Sequence, residues 1–427
     1  MMLDISESYA ISLDQENELG GYRNEFYIPQ GVIYLLGNSL GLMCKKAERN
    51  VEKVMSEWRE MGIKGWLNGD PPWFYYAENI GEKASRLVGA KAEEVVCTGT
   101  TTVNIHQLVS TFYKPIGKKT KIMADTLNFP TDIYALRSQI ELKGLDPEKE
   151  LLLIESDDGR TLDEDNIVEQ MSDEVNLILL PSVLYRSSQL LDMEYLTKEA
   201  HKRDILIGFD CSHSVGVVPH HFDEWGVDFA VWCSYKYMNG GPGSPAFLYI
   251  NERYFDKEPG LAGWFGYVKK KQFDLLLDFE SEKSAGGLQI SSPSIPGFAM
   301  VDGALDLLIE AGIDTIRNKS EAMTSYLMGL VNEVLGKPPY DFKIGTPGEI
   351  NKRGGHVALE REDAYRINLA LSNRGVVADF RPQNVLRLAV SPLYNTHHEL
   401  WQAVMHLKEI IDNREHLEYS KERAAVT

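Results

Sequence analysis

Residues 228–250, DFAVWCSYKYMNGGPGSPAFLYI, set a lysine between a strand and a tight turn. Asp228 to Cys233 reads as a strand entering a core, and Ser234, Tyr235 and Lys236 follow at its end. The next residues, NGGPGSPA, predict a glycine-rich turn, and FLYI predicts a second apolar strand. An ammonium group so close to a buried strand is unfavourable unless it is paired or used.

Upstream of this stretch, strand-like and helix-like segments alternate. EEVVCTG, KTKIMAD, LLLIES, VNLILLPSVLY and ILIGFD read as strands. TVNIHQLVSTFY, FPTDIYALRSQIEL and MEYLTKEAHKRD read as helices between them. The strands are apolar almost throughout, as burial on both faces requires. The pattern therefore predicts an α/β fold with a mostly parallel sheet flanked by helices. Downstream, residues 300–335 predict long amphipathic helix broken near Gly312, followed by the shorter strands GHVALE and NVLRLAV and a last helix from about His397. The expected organisation is an arm or cap over residues 1–45 with little regular pattern, a large domain over 46–290 and a smaller C-terminal α/β domain over 291–427.

Composition narrows the class. A chain of 427 residues is long enough for two or three units, at roughly 150 residues each. A formal net charge of −19 argues against nucleic acid or an anionic membrane as partner, while leaving room for a local basic pocket. The apolar runs fall short of the roughly 20 residues that span a bilayer. The acidic start, MMLDISESYAISLDQENELG, lacks the features of a targeting peptide. The four cysteines, Cys44, Cys97, Cys211 and Cys233, show no paired metal spacing, and three sit in or beside strand-like runs. They read as reduced core thiols of a cytosolic protein, with no metal site.

In an open parallel sheet, ligands bind outside the carboxyl ends of the strands. Four stretches place reactive groups there. VVCTGTTTVN puts Thr101 and Thr102 at a helix N-terminus, where free N–H groups and hydroxyls suit a phosphate; the same residues also suit a helix cap. NFPTDIY offers Phe129 as a flat contact, or as a loop aromatic packed on the sheet, and Asp132 as a carboxylate or cap. ILIGFDCSHSVG ends an apolar strand on Asp210, with His213 a turn away. Lys236 is the fourth. One connection and one strand separate it from Asp210, so both fall at the same sheet edge. A lysine, a carboxylate, an anion cradle and an aromatic contact are together what pyridoxal 5′-phosphate requires.

Seven segments resemble the kynureninase family: FYIPQGVIYLLGNSLGL, TTTVNIHQL, NFPTDIYA, GFDCSHSVG, WGVDFAVWCSYKYMNGGPGS, GWFGY and VLRLAVSPLYNTHHEL. They occur in the family's order and span residues 22 to about 405. The resemblance implies a fold type I pyridoxal-phosphate enzyme, a homodimer, that hydrolyses the Cβ–Cγ bond of L-kynurenine to anthranilate and L-alanine in tryptophan degradation. It extends to 3-hydroxy-L-kynurenine as a second substrate. It makes Lys236 the Schiff-base lysine and sets Asp210 and Asp132 near the pyridine nitrogen, with His213 close to the ring and Phe129 stacked on it. Thr101 and Thr102 fall beside the phosphate, and Tyr235 bonds the phosphate and relays a proton. Trp264, in GWFG, is a phosphate contact from the other subunit. Arg387 binds the substrate α-carboxylate, and Ser39 belongs to the substrate pocket. Ser292 stands where animal members carry asparagine and a bacterial type carries threonine, as a phosphate or substrate contact. Trp66 stands where animal members carry a histidine tied to substrate preference, which resembles the bacterial, kynurenine-preferring type.

The competing readings are other enzymes on this scaffold. A cysteine desulfurase-like or lyase-like protein needs a cysteine on a mobile loop, which strand-like contexts disfavour, and a class V aminotransferase-like enzyme would release no anthranilate. Arg186, in VLYRSSQ, follows a strand on the ligand side and suits either an anion or the sheet edge, and Tyr237 has no assigned chemistry.

Overall fold

The computed structural model describes residues 4–15 and 17–422. The N-terminal segment is more regular than its sequence suggests. Residues Glu7–Gln15 form a helix and Ile33–Tyr34 a short strand, β1. The helix has only a weak apolar face, so its sequence signal is faint. Ala10 is nevertheless fully buried, with Tyr9 and Leu13 packed beside it against the C-terminal core, and Trp401 Nε1 donates to the Ile5 carbonyl. Tertiary packing supplies what local pattern lacks.

Seven strands form the main sheet: β2 (Val95–Thr98), β3 (Lys121–Asp125), β4 (Leu151–Ile154), β5 (Val175–Pro181), β6 (Leu206–Asp210), β7 (Phe229–Trp232) and β8 (Ala246–Ile250), in the order β2-β8-β7-β6-β5-β3-β4. The pairs from β4 through β3, β5 and β6 to β7 are parallel, and β8 runs antiparallel to both β7 and β2. Helices Thr101–Phe112, Pro130–Leu142 and Met193–His201 link the strands, as the sequence alternation predicts. The second sheet contains β9 (Lys343–Ile344), β10 (His356–Glu360), β12 (Asp379–Arg381) and β13 (Val385–Ala389), all antiparallel, in the order β12-β13-β10-β9. Between β10 and β12 the chain forms β11 (Val376–Val377), which pairs in parallel with β1 and ties the N-terminal segment to this sheet.

The long helical region divides at Gly312, whose φ of +77° ends helix Ile295–Ala311 and opens helix Ile313–Leu335. Leu305 and Leu308 of the first helix join the core around the main sheet, and Met323, Leu327 and Leu330 of the second join the core around the smaller sheet. The break lets one helical run serve two cores.

Because β8 reverses direction beside β7, residues 233–245 must turn back at the carboxyl edge of the main sheet. Asn239 N donates to the Lys236 carbonyl at 2.9 Å and Gly240 N to the Ser234 carbonyl at 2.8 Å, closing that turn. From the N-terminal segment, Gly41 N donates to the Tyr235 carbonyl at 2.7 Å. A Cβ at Gly41 would lie 2.4 Å from the Lys236 carbonyl oxygen and 2.9 Å from Asn239 Cα, so backbone rather than a flexible side chain would have to move. Gly41→Ala is therefore expected to destabilise the chain by about 1–3 kcal/mol and to weaken cofactor retention. Thermal unfolding and cofactor absorbance after dialysis check both effects.

Candidate active site

The strand order makes β6 and β7 neighbours, which places Asp210, the last residue of β6, beside the turn that carries Lys236. A cavity of about 330 Å³ opens at this edge. Lys236, Tyr235, Asp210 and His213 line it from the β6 and β7 side, Thr101, Thr102, Phe129 and Asp132 from two helix N-termini, and Ser39 and Arg387 from the arm and the second sheet. Ten of the residues singled out from sequence thus meet around one space.

Lys236 Nζ lies 2.9 Å from His213 Nε2 and 6.0 Å from the centroid of the Phe129 ring. Burial, reinforced by the Lys236 and Arg387 charges, holds the His213 imidazole well below its ordinary range, so the ring is neutral. Phe129 is 46% exposed and meets Tyr185 edge-on at 5.4 Å, which leaves a ring face free to cover a flat ligand. Asp210 Oδ1 accepts from Ser212 N at 2.7 Å. Burial and then the charge of Asp210 push the Asp132 carboxyl well above the usual carboxylate range. Burial likewise raises the Tyr235 phenol.

Several polar atoms here are enclosed and make no hydrogen bond: Thr101 Oγ1, Asn128 Nδ2 and both carboxylate oxygens of Asp132. Buried polar groups are almost always paired, so this cluster calls for a ligand that is anionic at the helix N-terminus and offers a donor to Asp132. Phosphate and a protonated pyridine nitrogen meet both demands, and the residues present fit pyridoxal phosphate.

Sequence reasoning passed over other contributors. Asn128 and Thr131 line the cavity from the same loop as Phe129, and Thr131 Oγ1 lies 2.8 Å from Thr102 Oγ1. Their position just beyond β3 was the available signal. Asp125, at the end of β3, is fully buried, and burial pushes its carboxyl up to about 7. Asp379 could be found only through pairing: it stands opposite Arg387 in the β12–β13 register and accepts from Arg387 Nε at 2.7 Å.

Three expected residues lie outside this cavity. Trp66 packs on Trp73 and Phe265, with ring centroids 6.1 and 5.9 Å away. Trp264 is 43% exposed. Ser292 lines a separate cavity against Gly99 and Thr100, behind the helix that carries Thr101. Arg186 turns toward the second sheet, with Nη2 3.3 Å from Asn384 Oδ1. Tyr237 packs with Val217 and Val218. All four cysteines are buried, and burial raises their thiols.

A lysine beyond the carboxyl edge of a mostly parallel sheet, with carboxylates and an anion cradle around it, defines a pyridoxal-phosphate-dependent protein of the class V aminotransferase fold. The aminotransferase class-V family matches residues 75–348. Solved structures agree on the fold: the apo cysteine desulfurase of Thermococcus onnurineus NA1 superposes with a TM-score of 0.79 at 18% identity, covering 92% of this chain and 98% of that one. The lyase C-DES, with glycine covalently linked to its PLP cofactor, gives 0.78 at 13%, covering 91% and 99%. Within this class the chain belongs to the kynureninase family. The kynureninase C-terminal domain family matches residues 316–407. The curated kynureninase of Bacillus anthracis is 50% identical over 98% of this chain and 97% of its own length. That of Geobacillus thermodenitrificans (strain NG80-2) is 50% identical over 99% of each.

The raised carboxyl of Asp132 has a measurable consequence in the apoprotein. Below about pH 3 the group is largely protonated in folded and unfolded chains alike, and Asp132→Asn should change stability little. As the pH rises, the unfolded chain releases its proton while the folded chain must keep it or bury a charge, so wild-type apoprotein loses stability that the asparagine variant retains. The variant's advantage in unfolding temperature should widen from pH 3 to pH 8, by about 1 °C for each kcal/mol of relief. A gap that stays constant or narrows would contradict this placement.

Proposed function

We propose that this chain hydrolyses the Cβ–Cγ bond of L-kynurenine, releasing anthranilate and L-alanine, with Lys236 at the centre of the reaction. 3-Hydroxy-L-kynurenine is the second substrate, giving 3-hydroxyanthranilate. The observation that carries this reading is the meeting of two unlike groups of side chains in one cavity: Lys236 and His213 at the edge of the main sheet, and Arg387 with Ser39 across from them. The full-length similarity to curated kynureninases supports the same conclusion.

Pyridoxal phosphate, when bound, supplies an aldehyde that takes the substrate amine and a ring that withdraws electrons from the bonds at Cα. Thr101, Thr102 and the N-terminus of their helix hold its phosphate, with the Tyr235 hydroxyl as a further donor. Asp210 and Asp132 would hold the ring nitrogen and favour its protonated form. Phe129 covers the ring. Lys236 would hold the cofactor's aldehyde carbon, and its amine is placed to accept the proton from substrate Cα. His213, held neutral, stands within hydrogen-bond distance of Lys236 Nζ and takes part in moving that proton. Water adds to the substrate's γ-carbonyl, the Cβ–Cγ bond breaks with anthranilate carrying away the new carboxyl group, and Tyr235 delivers a proton to Cβ. Arg387 grips the α-carboxylate so that Cα stands over Lys236.

We assign Trp264 to a site completed by a second copy of the chain, as a contact to the cofactor phosphate. Trp264 is exposed beside Phe273, with Leu275, Leu276 and Leu277 also open to solvent, an apolar surface that a homodimer would cover. The cytoplasm is the assigned location; the unpaired cysteines favour a reducing compartment, and no described helix is long and apolar enough to cross a membrane.

Anthranilate fluorescence on addition of L-kynurenine tests the activity directly. Lys236→Ala should lower that rate by at least about 10³-fold and remove the visible absorbance of the bound cofactor. Turnover by this variant at the wild-type rate would overturn the assignment.

A further inference from the structure

The imidazole that meets Lys236 Nζ through Nε2 has a second nitrogen that the mechanism leaves unused. His213 is buried, and its Nδ1 is enclosed with no hydrogen-bond partner. Beside it stands His356, on β10 of the smaller sheet, with ring centroids 6.0 Å apart and ring planes inclined by 58°. His356 is completely buried, and neither of its ring nitrogens has a partner. Three imidazole nitrogens are thus enclosed next to one another without hydrogen bonds, although buried polar groups are almost always paired.

The main chain fixes His356 in this place. It pairs with Ala389 in the β10–β13 register, and its backbone N–H donates to Ser188 Oγ at 3.3 Å. Burial, and then the Arg387 charge, push the His356 imidazole down to about 3, with Lys236 adding to the effect; Asp379 and the Arg186 carbonyl offset it only in part. His213 is neutral for the same reasons. Each ring therefore carries one N–H and one bare nitrogen. No direct hydrogen bond joins the two rings, and their separation is one that a single bridging water spans, accepting from one nitrogen and donating to the other. The Arg186 carbonyl, which faces His356 without closing a hydrogen bond to it, can only accept. It suits the His356 N–H, and the nitrogen left for His213 is then the bare one. His213 answers with its own N–H on Nδ1, which leaves Nε2 bare toward Lys236.

We propose that His356 is a positioning residue that, through a bridging water, holds His213 in the tautomer protonated at Nδ1, so that a bare Nε2 faces Lys236. Its consequence for turnover rests on the kynurenine reading above; the tautomer itself does not. A bare Nε2 accepts a hydrogen bond from the lysine after the lysine has taken the substrate Cα proton, whereas a neutral ring protonated at Nε2 opposes it with a second donor. The smaller sheet thereby sets the state of a side chain that the main sheet presents to the reacting centre.

Nitrogen NMR of full-length apoprotein carrying 15N-labelled histidine reads the tautomer directly, with the His213 signals identified by their loss in His213→Gln. Near neutral pH, wild-type His213 should be neutral and protonated on Nδ1. His356→Leu removes both nitrogens and should move the population toward Nε2–H; His356→Gln keeps a donor and an acceptor and should move it less. In holoenzyme with L-kynurenine, His356→Leu should lower kcat by roughly 10- to 100-fold and change KM by less than about 3-fold, and His356→Gln should recover part of the loss. In the His213→Gln background, His356→Leu should cost less than about 2-fold more, because a residue that acts through His213 has nothing left to act on. A wild-type His213 protonated on Nε2, or the same loss from His356→Leu with and without His213, overturns the proposal. If His356→Leu does not fold or retain cofactor, the wild-type tautomer decides alone: Nδ1–H supports the proposal and Nε2–H refutes it. Failure of wild type to release anthranilate would refute the kynurenine reading instead, and the apoprotein tautomer would still report on His356.

Discussion

The antiparallel return of β8 beside β7 is the constraint on which the site depends. A parallel continuation would carry the chain away from the sheet edge into a crossover helix. The reversal keeps residues 233–245 at the carboxyl ends of the strands, and three backbone hydrogen bonds, from Gly41, Asn239 and Gly240, fix the turn. Lys236 is therefore held by main-chain geometry on both sides, which is how a flexible side chain becomes a positioned one. The parallel pairing of β6 with β7 then brings Asp210 and His213 within the same few ångströms.

Around that lysine the fold leaves polar atoms enclosed and unpaired. Asp132 has both oxygens without partners, Asp125 has one, and Thr101 and Asn128 each carry an idle donor or hydroxyl. None of these improves the stability of the isolated chain; a buried polar group without a partner costs about 1–3 kcal/mol. Such violations of packing economy concentrate where a ligand completes them. The three acidic residues stand close enough for Asp210 and Asp125 to raise the Asp132 carboxyl further. A cationic ring nitrogen relieves that repulsion, so the same arrangement that weakens the apoprotein strengthens its hold on the cofactor.

Much of this was legible in the sequence. The alternation of apolar strands with helices of ordinary length gave the layered sheet, and the rule that ligands gather beyond strand carboxyl ends drew attention to Thr101, Phe129, Asp210 and Lys236 before their contacts were known. What escaped reading falls into two kinds. The N-terminal helix Glu7–Gln15 has too little apolar periodicity to stand out, because its burial is decided by the C-terminal core it lands on. Asp379 and Arg381 carry no local signal at all. Their significance arises from antiparallel register, which sets Asp379 opposite Arg387 and Arg381 at the end of the same strand, and register cannot be read from one short segment. Trp66, Trp264 and Ser292 mark a further boundary: all three lie outside the cavity, and the contacts of one chain do not bring them into it.

The two sheets divide the work of recognition. The main sheet carries the groups that must stay fixed relative to a cofactor, Lys236 and Asp210 with the two helix N-termini, and all of them descend from strands buried on both faces. The smaller sheet and the arm carry Asp379, Arg381, Arg387 and Ser39, which form one hydrogen-bonded cluster across the cavity from Lys236. Ser39 lies in the N-terminal segment, which β1 joins to β11 just before β12 begins. The arm is thereby tethered to the element whose arginines it contacts. A ligand that reaches both Lys236 and this cluster must span the seam between the sheets, so it is aligned only when both ends are engaged. On the proposed function, a substrate without the carboxylate would forfeit that second anchor, and with it the alignment of its Cα above the lysine.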